Sequence, residues 1–164
     1  VVSQLTLKGW QRYEELKRGK ASGTRAFMAM KFGEADLDEM LEKHFKPAVA
    51  LTGFTLRTVD ENRKAGLIDD KLRLEINLSR FVIADLTHHN NGAYWEAGYA
   101  EGLKKPVMYT CRSDVFDHPD RKKGTHFDTN HHLTVKWTTD NPQKAVDDLK
   151  ATIRMTIPEA NQED

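Results

Sequence analysis

Glu96 is the residue whose surroundings best suit chemistry. It stands in Gly92-Ala93-Tyr94-Trp95-Glu96-Ala97-Gly98-Tyr99-Ala100, a helical pattern with alanine at 93, 97 and 100. Small residues let that face lie close to a sheet. A carboxylate beside such a face is costly unless it projects past the strand ends into a cleft. There it could attack an electrophilic carbon or stabilise a developing cation. The same placement suits a first-turn Glu that only favours the helix dipole. The pattern alone leaves both readings open.

The other candidates follow apolar runs. They are Lys31-Phe32-Gly33-Glu34, Asp60-Glu61-Asn62-Arg63, the stretch from Asp85 to Gly92, Arg112-Ser113-Asp114, and His126-Phe127-Asp128-Thr129-Asn130. Carboxylates, amides, a lysine and aromatics suit a sugar or nucleotide better than a fatty ligand. Met30, Lys31, Phe32, Asp85, Asn90, Gly92, Asp128 and Asn130 are the expected ligand-binding residues. Several have plainer readings. Asp85 fits a turn or cap, Asn90-Asn91-Gly92 fits a helix start, and Asp128 with Asn130 fits an Asx-turn.

Some chemistries lose their support. The seven His include two adjacent pairs, His88-His89 and His131-His132, which tend to point apart, and neither HExxH nor a Cys pair is present. No metal centre and no cofactor are expected. The phosphate-binding G-x-x-x-x-G-K-[ST] is missing, as are G-x-G-x-x-G after the first apolar run and G-x-S-x-G. Cys111 stands alone, which excludes an internal disulfide framework, and it reads as a small buried apolar residue.

The elements that must hold these residues alternate. Arg25 to Met30 reads as a buried strand. Asp36 to Leu51 has helical spacing, with Pro47 forcing a kink or restart. Phe54 to Val59 is a strand, Leu67 to Leu78 a helix, and Phe81 to Ala84 a fully apolar strand ending at Asp85. Ala93 to Leu103 is helical, Pro106 to Cys111 is a strand, and 112–130 is a long polar loop. His132 to Trp137 is the last strand. Asn141-Pro142 opens a final helix reaching about Thr156. Apolar strands alternating with helices imply β-α-β units and a parallel sheet covered on both faces. Right-handed crossovers then give a doubly wound α/β sheet, Rossmann- or flavodoxin-like, of about five strands.

With 164 residues, 38% hydrophobic and 30% charged, the chain can bury one core. Twenty-five basic residues balance twenty-five acidic ones, so no extended nucleic acid is expected as a partner. No apolar run approaches the roughly 20 residues that span a bilayer. No membrane association is expected, and the location is read as cytoplasmic. Residues 1–22 are read as an N-terminal helix and linker, the tail of an upstream domain. Residues 23–157 form the main domain, and 158–164 a frayed tail. Trp10, Tyr13 and Leu16 make an apolar stripe that one helix cannot bury, so a homo-oligomer is expected.

The stretch 25–111 resembles the nucleoside 2-deoxyribosyltransferase-like superfamily. The resemblance rests on Phe27-Met28-Ala29-Met30-Lys31-Phe32, Ile68-Asp69-Asp70 through Ser79-Arg80, Phe81 to Thr87, Asn90 to Ala100, and Lys105-Pro106-Val107. Its specific part is ADLT followed by N-x-G-x-x-x-E-x-G-x-A. The segment His126 to Asn130 also looks like a feature of bacterial members that carry this domain fused to other modules.

The resemblance implies a flavodoxin-like fold and cleavage of an N-glycosidic bond, with Glu96 as the nucleophile at the anomeric carbon. Asn90 falls where classical transferases carry an Asp, a departure that weakens a base-exchange reading. Asp69 or Asp70 falls near another family carboxylate, which implies Asp69 as a further ligand-binding residue. Related folds include the Toll/interleukin-receptor-type NAD hydrolases. The implied substrate is a nucleoside, a nucleotide or NAD. Nicotinamide leaves without protonation, so a site with one Glu and few other acids leans toward NAD. The alternatives are a nucleotide sensor that holds its ligand without cutting it and a structural interaction domain.

Overall fold

The computed structural model describes residues 6–10, 13, 23–58, 67–120, 124 and 133–164, with the backbone alone for 67–69. The strands are β1 (Arg25–Ala29), β2 (Thr55–Arg57), β3 (Phe81–Asp85), β4 (Val107–Arg112) and β5 (Thr134–Trp137). The helices are α1 (Ala35–Met40), α2 (Lys46–Leu51), α3 (Leu67–Leu78), α4 (Asn91–Gly102), α5 (Ser113–Phe116) and α6 (Pro142–Thr156). A π turn, Leu41–Phe45, joins α1 to α2. The kink expected near Pro47 takes this form. A proline inside a helix clashes with the carbonyl four residues back. The wider turn just before it, closed by Lys46 N–H on Leu41 O, relieves the crowding.

All strand pairings are parallel, and the order is β2-β1-β3-β4-β5. Met28 pairs with Ile83, Ile83 with Met108, and Tyr109 with Thr134. The doubly wound α/β fold expected from the sequence is therefore the fold observed.

Alternation along the strands sends side chains to two cores. Met28, Ile83, Met108, Val135 and Trp137 face α1, the π turn, α2 and α6, where Phe45, Leu149 and Ile153 meet them. Phe27, Val82, Ala84, Tyr109 and Cys111 face α3 and α4, where Ile76, Ala93, Ala97 and Ala100 meet them. The alanine face of α4 thus lies on the sheet.

Two expectations are corrected. The segment 112–130 does not start as a loop: β4 runs through Arg112, and α5 follows at once. Residues 158–164 do not fray. Ala160 is buried in the first core, Asn161 N–H bonds Thr52 O at 3.0 Å, and Asp164 pairs with Lys150 and Arg154. A single small apolar residue is too weak a pattern to announce this docking.

In the N-terminal segment, residues 7–10 are helical, and Leu7, Trp10 and Tyr13 are exposed. Trp10 and Tyr13 meet edge to face with centroids 5.7 Å apart. Among the described residues no helix is long and apolar enough to cross a membrane.

Candidate active site

The sheet order reverses between β1 and β3. From β1 the chain leaves through α1 to β2; from β3 it leaves through α4 to β4. Helices α1 and α4 pack on opposite faces, so their N-termini flank a crevice beyond the carboxyl ends of β1 and β3. Open α/β sheets bind ligands at such a point.

Asn90 caps α4 on the β3 side. Its Oδ1 accepts the Ala93 N–H at 3.0 Å, which satisfies one of the free donors of the first turn. The capping role read from the sequence is present. Gly92 leaves a gap beside it. A Cβ there would stand 2.8 Å from Asn90 Oδ1 and 4.0 Å from Glu96 Oε1. Glu96 is partly buried. It sits one turn after Gly92, and helical side chains lean toward the N-terminus. Its carboxylate therefore reaches back along α4 toward Gly92.

The opposite wall is charged. Lys31 pairs with Glu34, the N-cap residue of α1. The hydrogen bond from Lys31 holds the Glu34 carboxyl below its ordinary value. Asp36, in the first turn of α1, accepts from Arg112 and from Leu37 N–H. Burial works to raise the Asp36 carboxyl, and those bonds outweigh it, so it lies low. Arg112 also bonds Asp114 at 2.7 Å, and its N–H donates to Thr87 Oγ1 at 2.9 Å. His88, in the turn after β3, brings Nε2 to 3.7 Å from Asp36 Oδ1. This wall ties the ends of β1, β3 and β4 together.

The expected ligand-binding residues divide. Gly92 and Asn90 lie at the crevice with Glu96, and Lys31 follows β1 on its rim. Met30 is buried in the first core, and Phe32 packs against that core. Asp85 is corrected. It is 2% exposed, and both oxygens serve the fold. Oδ1 accepts Thr87 N–H at 2.9 Å; Oδ2 accepts Thr110 Oγ1 at 2.7 Å and Trp137 Nε1 at 2.9 Å. Burial pushes its carboxyl up, against those bonds. The turn reading of Asp85 was the correct one, enlarged into a link between β3, β4 and β5. The Asp69 side chain, Asp128 and Asn130 lie outside the described residues.

Asp36 was missed. It is a first-turn acid, a type that helix patterns explain without any ligand. His88 and Arg112 were gathered only as members of the rim. Their meeting through Asp36 spans 76 residues, which no local pattern reports.

Cys111 is buried, and its thiol is pushed up to about 12, chiefly by burial and then by the Asp85 charge. It is thus no nucleophile at neutral pH. Among the described residues no group of three or more His, Cys, Asp or Glu could hold a metal ion. A separate groove of about 560 Å³ runs beside β5 and α6, lined by Ser113, Lys136, Thr138 and Lys144 among others. None of its lining residues belongs to β1, β3 or α4.

No family model matches the chain, and no curated protein matches it. A solved structure, the CMP N-glycosidase BcmB of Clostridium botulinum, is similar over 77% of this chain and 98% of that one, at 15% identity and a TM-score of 0.50. The likeness is one of fold.

Proposed function

We propose that this chain is an N-glycosidase acting on a small nucleoside, nucleotide or NAD, with Glu96 as nucleophile. The observation that supports the reading is the Glu96 carboxylate beside Gly92, on the first turns of the helix that follows β3 at the switch point, with Oε1 4.0 Å from where a Gly92 Cβ would stand. Cleavage of a ribosyl N-glycoside passes through an oxocarbenium-like state. A carboxylate below the anomeric carbon can bond to it as the C–N bond breaks and the electron pair leaves with the base. Water then attacks the same carbon and regenerates the carboxylate.

Other features support a polar, sugar-bearing ligand. The N-termini of α1 and α4 flank the crevice, and their free N–H groups favour hydroxyl and phosphate oxygens. Lys31 and Asn90 stand at its edge as candidate ligands. Asp69 keeps the role that the family resemblance implies, and Asp128 and Asn130 are the residues expected to close over the ligand, with Asn130 on the sugar or base. The CMP N-glycosidase activity named for the structural neighbour is chemistry of this class.

The test is a panel of nucleosides, nucleotides and NAD incubated with the protein, with free base read by chromatography. Release of base from at least one member supports the reading. Tight binding without release would favour a nucleotide sensor instead.

A further inference from the structure

The outer face of α4 alternates large side chains with none. Trp95, Gly98, Tyr99 and Gly102 fall within about 100° of the helix circumference, away from Ala93, Ala97 and Ala100 on the sheet. Trp95 is 45% exposed, and Gly98 and Gly102 are exposed beside it. Among the described residues, a Cβ added at either glycine would meet nothing within 4 Å. The described fold makes no use of their smallness, although glycine weakens a helix relative to alanine.

The aromatic ridge on this face is held in place. The Trp95 and Tyr99 rings stack with centroids 5.3 Å apart and planes 3° apart. Arg73 of α3 stands over Trp95, its Cζ 5.7 Å from the ring centroid. Asn77, one turn further along α3, donates to Tyr99 Oη at 3.1 Å. Leu74 lies exposed next to Arg73. Trp, Tyr and Arg are the residue types enriched in interface hot spots, and fixing them before binding lowers the cost of association.

We propose that this face binds a second copy of the chain, with α4 antiparallel to the partner's α4. The pattern is complementary to itself in that arrangement. A two-fold axis between Gly98 and Tyr99 sets Trp95 over the partner's Gly102 and Tyr99 over the partner's Gly98. Each ring then meets a hollow. A parallel pairing in register would set ring on ring and gap on gap. Shape thus names the occupant, since one chain carries both the ridge and the hollow that receives it. The contact is isologous and closes as a dimer. Without Cβ atoms at the two glycines the helix backbones can approach closely. The proposal is independent of the glycosidase reading.

The experiment is sedimentation equilibrium of the full chain at tens of micromolar, with circular dichroism on the same samples. The wild type should sediment at twice the 18.8 kDa mass of the chain. Gly98→Gln and Gly102→Gln fill the hollow. Neither meets a described neighbour within its own chain, and glutamine suits a helix better than glycine. Both variants should keep the wild-type circular dichroism and raise the dissociation constant at least about thirtyfold, the size of a hot-spot loss. Trp95→Ser removes the ridge instead and should dissociate the dimer as well, which keeps the test decisive if a glycine variant misfolds.

A wild type that stays monomeric in that range, or folded α4 variants that stay dimeric, would overturn the proposal. Trp10→Ser examines the other exposed tryptophan, in the N-terminal segment, and should remain a dimer. Dissociation by Trp10→Ser with the α4 variants still dimeric would assign the contact to that segment and overturn the proposal too.

Discussion

Gly92 and Glu96 lie one turn apart on α4, and a Cβ on Gly92 would stand 4.0 Å from Glu96 Oε1. The glycine is needed for space rather than for backbone freedom, since its φ is not positive. The same Cβ would come within 2.8 Å of Asn90 Oδ1, closer than real contacts allow.

Gly92→Ala therefore forces the Asn90 side chain off the Ala93 N–H. Losing an N-cap of this kind costs about 0.5–2 kcal/mol, partly offset by the better helix propensity of alanine. The added methyl also stands in contact with the Glu96 carboxylate, 4.0 Å from Oε1. The expected outcome is a small change in melting temperature and a loss of ligand affinity far larger than that change explains. Calorimetric titration on the variant checks it; unaltered affinity would show that the gap is not part of the site.

Asp85→Ala removes the acceptor of three donated bonds and leaves Thr87 N–H, Thr110 Oγ1 and Trp137 Nε1 buried without it. The expected loss is at least about 1–3 kcal/mol in denaturant unfolding. Its pH dependence has a definite sign. Burial raises the folded carboxyl above its unfolded value, so the folded state holds the proton more tightly. The contribution is then fully present below the unfolded value of about 3.9 and declines as pH rises toward the folded one. The gap between wild type and variant should narrow as pH rises from about 4. A gap that widens would mean that the donated bonds, and not burial, govern this carboxylate.

Much of the fold was legible because it is written in short-range patterns. Phe81-Val82-Ile83-Ala84 has no polar side, as a strand buried on both faces requires, and Ala93, Ala97 and Ala100 recur at helical spacing. The N-cap at Asn90 was readable for the same reason. Asp85 could be read as a turn residue, but its bonds to Thr110 and Trp137 depend on strand order. The wall of Asp36, His88 and Arg112 is assembled by three strands meeting at the switch point. Ala160 gave no signal, since one alanine after a proline carries no period.

Lys105 offers a control remote from the crevice. It is 4% exposed, precedes β4 at the amino end of the sheet, and donates from Nζ to Asn77 O at 3.0 Å and Ser79 O at 2.7 Å. These carbonyls close the C-terminal end of α3. Lys105→Met keeps the apolar stem and removes both bonds. A stability loss of about 1–3 kcal/mol is expected, with base release per folded molecule unchanged. Denaturant unfolding and a turnover assay on one sample check the pair, and altered turnover would tie the two ends of the sheet together.

The central claim is tested most directly by base release from Glu96→Gln. The amide keeps the size and much of the hydrogen bonding of the carboxylate but can neither attack the anomeric carbon nor offset its positive charge. Turnover should fall by at least about a hundredfold with ligand binding largely retained, because the loss falls on the transition state. A helix-dipole role predicts a stability change of roughly 0.3–1 kcal/mol and nearly normal turnover. Near-wild-type release of free base from Glu96→Gln would contradict the account.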